Sequence, residues 1–151
     1  MSQSKYDQHT DANIATLQSD FADRVRQWLA EARRQGLNPL IHFGARSVDK
    51  QRQLHDDFVN HRGPRAVAPE RSYHCYGRAF DWVNIVDPNG GDGGLGWDDD
   101  TAYAKGTKVG SAFQIVGIGS DDNDHLQDER FPTYADLSQG EFGRYPSAAL
   151  A

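Results

Sequence analysis

The run from about Asn13 to Gln35 restricts the fold more than any other part of the chain. Ile14, Leu17, Phe21, Val25, Trp28, Leu29 and Ala32 recur there at three- and four-residue steps. That spacing predicts one amphipathic helix whose apolar stripe must be buried against a second layer. Arg24, Arg26, Glu31, Arg33 and Arg34 fall mostly on the other side, and Gly36 is placed to end the helix. Phe21 and Trp28 lie on the stripe and are expected in the core. Residues 1–12 are polar and are expected to form a flexible N-terminus ahead of a single domain, residues 13–151. A chain of 151 residues leaves little room for a second domain.

The layer that receives the helix is expected to be a small sheet. Leu40 to Phe43 is a short apolar run ending at Gly44 and reads as a buried strand. A second helix is expected from Val48 to about Phe58, with Ser47 as its cap and Gly63-Pro64 beyond its end. Ala79 to Val86 reads as another strand. The stretch "DPNGGDGGLGWDDD" is a Gly/Asp loop, "TAYAKGTKVGSAF" a short helix and "QIVGIG" a short strand. The tail from Pro132 is turn-rich and expected to wrap the surface. Helices mainly first, short strands later and no βα alternation give an α+β class, with N-terminal helices packed on a small antiparallel sheet.

Composition removes several functions. The net charge is −6, so there is no global basic footprint for nucleic acid. Cys75 is the only cysteine, which excludes an internal disulfide and a cysteine-based zinc cluster. Beside a histidine it invites a thiolate role, but a small buried residue is the simpler reading. The first residues lack the apolar segment of a secretory signal, and nothing approaches a transmembrane span. The expected protein is a monomer made in the cytoplasm, with no nucleic-acid partner and no membrane insertion.

The segment "SYHCYGRAFDW" carries the chemistry. His74 and Asp81 stand seven residues apart, and Gly77 between them permits a tight turn. A catalytic zinc takes three protein ligands and keeps a fourth position for water. His125 is the best candidate for the third ligand. Asp121, Asp122 and Asp124 precede it, and a carboxylate three residues before a ligand histidine can take a proton from water and pass it to a leaving amine. Taken singly, His9, His42, His55 and His61 read as surface or packed residues, His42 as packed because it lies in an apolar run. Asp81 between Phe80 and Trp82 would be a costly buried charge without a partner.

Three motifs, in order, make the chain similar to the M15 family of zinc peptidases. They are Gly44-Ala45-Arg46-Ser47 with Gln51; Ser72, His74, Gly77, Ala79 and Asp81; and Asp122-Asn123-Asp124-His125-Leu126-Gln127. The family includes D-alanyl-D-alanine carboxypeptidases and dipeptidases and the L-alanyl-D-glutamate endopeptidases of phage lysis. The resemblance implies Zn2+ on His74, Asp81 and His125, and Asp122 as general base and acid. It implies Arg46 on the substrate carbonyl or carboxylate, and Ser72 and Gln51 orienting substrate or neighbouring groups. It further implies a peptidoglycan stem peptide as substrate, cut by an L-alanyl-D-glutamate endopeptidase that a holin releases to the cell wall as a phage endolysin. A D-alanyl-D-alanine carboxypeptidase or dipeptidase, or an inactive zinc-binding wall or phage structural module, is the alternative. The sequence departs from the phage members at "VGSAFQIVGIGSDDND", which lacks their Trp-Gly-Gly-rich stretch, and the aspartate cluster leaves Asp121 and Asp124 as rivals for the base. The Gly/Asp loop, residues 87–100, reads as a solvated loop that shapes the substrate cleft.

Overall fold

The computed structural model describes residues 2–137. The expected surface-wrapping tail therefore lies outside the described residues from 138 onward. Four helices and four strands alternate in part: α1 (Gln3–Ile14), α2 (Ser19–Arg34), β1 (Pro39–Phe43), α3 (Val48–Val59), β2 (Ala79–Asn84), α4 (Asp100–Gly110), β3 (Ile115–Gly117) and β4 (His125–Asp128). The class is α+β, and the strands form one antiparallel sheet of order β1-β2-β4-β3. Strands and helices interleave more than the sequence pattern suggests, because α4 fills the connection between β2 and β3.

Two N-terminal expectations need correction. The stripe beginning at Asn13 is not one helix. α2 starts at Ser19, and Ile14 ends an earlier helix, α1. Nor is the N-terminus a flexible lead: α1 occupies residues 3–14, with Ser2 as its cap, and buries Tyr6, Thr10, Asn13 and Ile14. Its inner face works by hydrogen bonding. The Ile41 N–H donates to Thr10 Oγ1 (3.1 Å), and Asn13 Nδ2 donates to the Ile41 carbonyl (2.9 Å). These bonds satisfy backbone groups on the outer edge of β1 that would otherwise be open to another strand.

The main core lies between one sheet face and α2 with α4. Ile41, Phe80, Trp82, Ile115 and Leu126 supply the sheet side, while Phe21, Val25, Trp28, Tyr103 and Val109 supply the helices. Trp28 is central: its ring meets Phe80 at 5.1 Å and Trp82 at 5.2 Å, both edge-on, and its Nε1 donates to the Gly106 carbonyl (2.8 Å). Side chains alternate across a strand, so Ala79, Asp81 and Val83 face the other way. Val83 is covered by Tyr6, Leu40 and Ile85, and Ala79 by Tyr73, Tyr76 and Leu137. Asp81 lies between these two small apolar clusters.

An ion cluster fixes the far end of β4. Asp128 is fully buried and meets Arg24 (2.6 Å), Arg78 (3.1 Å) and Arg130 (3.5 Å). Arg78 and Arg130 also pair with Asp20 at the start of α2. The strand that carries His125 is thereby tied to α2 and to the residue just before β2.

Candidate metal centre

Asp81 and His125 face each other directly, because they are register partners of β2 and β4 on the outer sheet face. His74 reaches them from a single 3-10 turn, Tyr73–Tyr76, that precedes β2. Gly77 ends that turn at φ 66°, ψ 31°, a left-handed conformation that suits glycine. The Arg46 N–H donates to the His74 carbonyl (3.0 Å), which joins the turn to the end of β1. The ligand-capable atoms of His74, Asp81 and His125 all lie within 4.8 Å of one another.

Hydrogen bonds identify the free ring nitrogens. His74 Nδ1 lies 2.8 Å from the Gly44 carbonyl, which only accepts, so the proton sits on Nδ1 and the neutral ring keeps a lone pair on Nε2. That lone pair faces Asp81 Oδ1 at 3.2 Å. His125 Nε2 donates to Gln127 Oε1 (2.8 Å), which leaves Nδ1 facing the same carboxylate oxygen at 3.4 Å. Two imidazole nitrogens and a carboxylate oxygen that converge on one point make a donor set for a cation. Nitrogen and oxygen donors in this combination suit zinc. The Gly44 carbonyl and Gln127 do what outer partners of ligand histidines usually do, fixing tautomer and ring orientation.

The charges of the three side chains follow from this crowding. Burial lowers the pKa of His74 and outweighs the attraction of Asp81. Burial opposes charge on His125 too, but its hydrogen bond to Asp81 and that carboxylate's charge raise its pKa overall. Burial of Asp81 is outweighed by the two histidines, which hold its carboxyl well below the usual range.

Arg46 follows β1 and precedes α3. Its Nη2 stands 3.7 Å from Asp81 Oδ2, and its Nη1 donates to Gln51 Oε1 (2.9 Å). Gln51, the buried residue of α3, passes the contact on to the Val67 carbonyl (2.8 Å). Gln51 therefore holds the arginine. Ser72 is buried, but its contacts serve the turn: its carbonyl accepts from the Cys75 N–H, and its hydroxyl bonds the Cys75 thiol. Cys75 is fully buried, and burial pushes its thiol up to about 11, in keeping with a packing role.

Asp122 ends a short 3-10 turn, Ser120–Asp122, at the exposed lip of the site. Partial burial, its hydrogen bond to Asp124 and the charges of Asp124 and Asp81 push its carboxyl up to about 6, against the pull of His125. Asp121 is exposed on the same turn. Asp124 is directed elsewhere: its carbonyl accepts from the Trp82 N–H (3.0 Å), and its Oδ2 lies 3.5 Å from His42 Nε2. Two clefts open beside the site. One, of ≈ 330 Å³, is lined by Trp97, Asp98, Asp100 and Tyr103 together with the Ser120–Asp124 turn. The other, of ≈ 480 Å³, runs along Val116, Ile118, Gln127 and Phe131. The Gly/Asp loop thus forms part of a cleft wall.

Sequence reasoning gave no role to Gly44, Gln127 or His42. Gln127 stood inside a quoted motif, two residues after His125 and so on the same strand face, which was the available signal. A backbone carbonyl such as that of Gly44 leaves no trace in residue type.

No family model and no curated protein matches the sequence. Solved structures that match the fold include two peptidases. The LD-carboxypeptidase LdcB, a structure bearing on peptidoglycan recognition, superposes with a TM-score of 0.59 at 17% identity, over 74% of this chain and 58% of that one. The L-Ala D-Glu endopeptidase ChiX of Serratia marcescens superposes with a TM-score of 0.59 at 19% identity, over 79% of this chain and 85% of that one. The chain thus spans a little over half of the carboxypeptidase and most of the endopeptidase. Its architecture is one that an LD-carboxypeptidase and an L-Ala D-Glu endopeptidase also possess.

Proposed function

We propose that this protein is a zinc-dependent peptidoglycan peptidase that cuts stem peptides as an L-alanyl-D-glutamate endopeptidase. The observation that carries the reading is the convergence of two imidazole nitrogens and one carboxylate oxygen on the outer face of the sheet. The fold shared with two peptidases of peptidoglycan chemistry supports the substrate class. His74 Nε2, Asp81 Oδ1 and His125 Nδ1 would hold the ion. Zinc bound there supplies Lewis acidity, which makes a water nucleophilic near neutral pH and polarises the scissile carbonyl.

The chain's own residues do the rest. Asp122, at the lip, accepts the proton of the attacking water and returns it to the leaving amine. Burial and the neighbouring carboxylates raise its pKa, which offsets part of the lowering a bound dication would bring and keeps it able to give the proton back. Arg46, anchored by Gln51, presents a fixed guanidinium to the negative charge that develops on the carbonyl oxygen. The cleft lined by Trp97, Tyr103 and Asp122 gives the peptide a place beside the proton carrier.

The likeness to an LD-carboxypeptidase favours a second reading, removal of a C-terminal residue. Mass spectrometry of muropeptides from purified peptidoglycan separates the two. New amino-terminal D-glutamate is the outcome for the endopeptidase, and loss of a single terminal residue is the outcome for the carboxypeptidase. Asp122→Asn is expected to abolish either cut while zinc stays bound; an active variant would remove Asp122 from its role. We take the setting to be phage lysis after release by a holin, so host cells making this protein should lyse only when a holin is co-expressed.

A further inference from the structure

The proposed mechanism leaves one histidine beside the site unused. His42 occupies the irregularity in β1, where the register with β2 slips between Ile41 and Phe43. The slip turns its ring away from the packed face and towards the Asp122–Asp124 side of the site. The ring is held on two sides, by Phe43 at 4.8 Å and edge-on by Trp97 at 5.1 Å. Its Nε2 is buried and has no hydrogen-bond partner among the described residues, and Asp124 Oδ2 stands 3.5 Å from it. Asp124 follows Asp122 by two residues at the end of the Ser120–Asp122 turn, and both line the Trp97 cleft. The Asp124 backbone is pinned by the Trp82 N–H, next along β2 from Asp81.

We propose that His42 is a positioning residue: its Nε2–H holds the Asp124 carboxylate, and so fixes the turn that carries Asp122 at the lip of the metal site. The inference rests on the reading of Asp122 as the proton carrier. A β-bulge beside an active site commonly serves to re-aim one side chain. Here it aims an imidazole, clamped between two aromatic rings, at the acidic turn. The arrangement also keeps Asp124 directed at His42, leaving Asp122 free of that contact. Trp97 takes part as the wall that stops the imidazole from swinging out, which gives the Gly/Asp loop a part in catalysis without contact to the reacting atoms.

Three substitutions separate this role from packing. His42→Phe keeps the ring between Phe43 and Trp97 but removes the donor. His42→Gln places an amide N–H close to the Nε2 position, and His42→Asn places it short of Asp124. With a synthetic stem peptide containing the L-alanyl-γ-D-glutamyl bond and zinc-loaded protein, kcat is expected to fall about tenfold for the Phe and Asn variants. KM and zinc content should be unchanged, the signature of a loss felt only in the transition state. His42→Gln should recover most of kcat. Crystal structures of the metal-free Phe and Gln variants provide a readout without turnover: the Asp124 carboxylate leaves its place in the first and keeps it in the second. Equal kcat in the Phe and Gln variants, or an unmoved Asp124 carboxylate in His42→Phe, overturns the proposal. A wild-type protein inactive on the peptide would instead overturn the peptidase reading, and the crystallographic comparison would still decide the role of His42.

Discussion

Replacing Gly106 by alanine tests whether the core and the candidate site are mechanically joined. Gly106 lies inside α4, where glycine to alanine ordinarily stabilises a helix by about 1 kcal/mol. Here a Cβ would fall 2.3 Å from Trp82 Cζ2 and 2.8 Å from its Cη2, far inside the ~3.5–4.0 Å of carbon–carbon contact. Trp82 has no free space to retreat into. It is fully buried, with Trp28 edge-on at 5.2 Å and Tyr103 edge-on at 5.4 Å. Overpacking of this kind costs about 1–3 kcal/mol, and two contacts under 3.0 Å argue for the upper end. After the helix gain, Gly106→Ala should destabilise by about 2 kcal/mol, a fall in Tm of roughly 4–8 °C for a chain of this size. Because Trp82 follows Asp81 and donates its N–H to the Asp124 carbonyl, zinc affinity should fall as well. Thermal denaturation with and without zinc measures both effects. Adding Trp82→Phe should make the Gly106→Ala change tolerable, with a coupling of at least about 1 kcal/mol in a double-mutant cycle. A Gly106→Ala protein with a higher Tm than the parent would refute the reasoning.

Three further outcomes follow from the same contacts. A Cβ on Gly44 would lie 2.3 Å from the Asn13 carbonyl and 2.4 Å from Thr16 Oγ1, so Gly44→Ala must shift the carbonyl that orients His74; calorimetric zinc affinity should drop about 10–100-fold. Carbon-detected NMR of the aspartate carboxyls should find Asp122 titrating at about 6 in metal-free protein, and the dication should move it lower, so the acid limb of kcat/KM in the zinc-loaded protein falls below that value. Asp20 is partly shielded from water, yet its hydrogen bonds and charge pairing with Arg78 and then Arg130 bring its pKa down to about 2. A depressed folded-state pKa gives stability that is present above about pH 4 and lost as pH falls through about 2, so Asp20→Asn should cost about 1 kcal/mol at pH 7, after allowance for solvent screening, and a vanishing amount only as pH falls below about 2.

What the sequence disclosed depended on the kind of signal each element carries. β1, β2 and α3 stood out because apolar runs, caps and glycines marked them, whereas α4 lies in a weakly patterned stretch. The convergence of His74, Asp81 and His125 was legible because histidine and aspartate at motif spacing are chemically specific. α1 was hidden for a physical reason: its buried face includes Thr10 and Asn13, which serve the β1 edge by hydrogen bonding, so a search for apolar periodicity passes over it. The same search ran Ile14 and Leu17 into the stripe of α2, because both residues do enter that core although a break separates them from the helix. His42 read as packed from its apolar neighbours. Its ring is packed, but only the slip in strand register brings its nitrogen to Asp124, and register is a property of two strands together.

The central claim is that His74, Asp81 and His125 share one metal ion. Calorimetric titration of zinc into metal-free protein tests it most directly. The account predicts one equivalent bound per chain, with binding lost in His74→Ala, Asp81→Ala and His125→Ala proteins that remain folded by circular dichroism. No binding by the parent chain, or undiminished binding by any of the three variants, would contradict it.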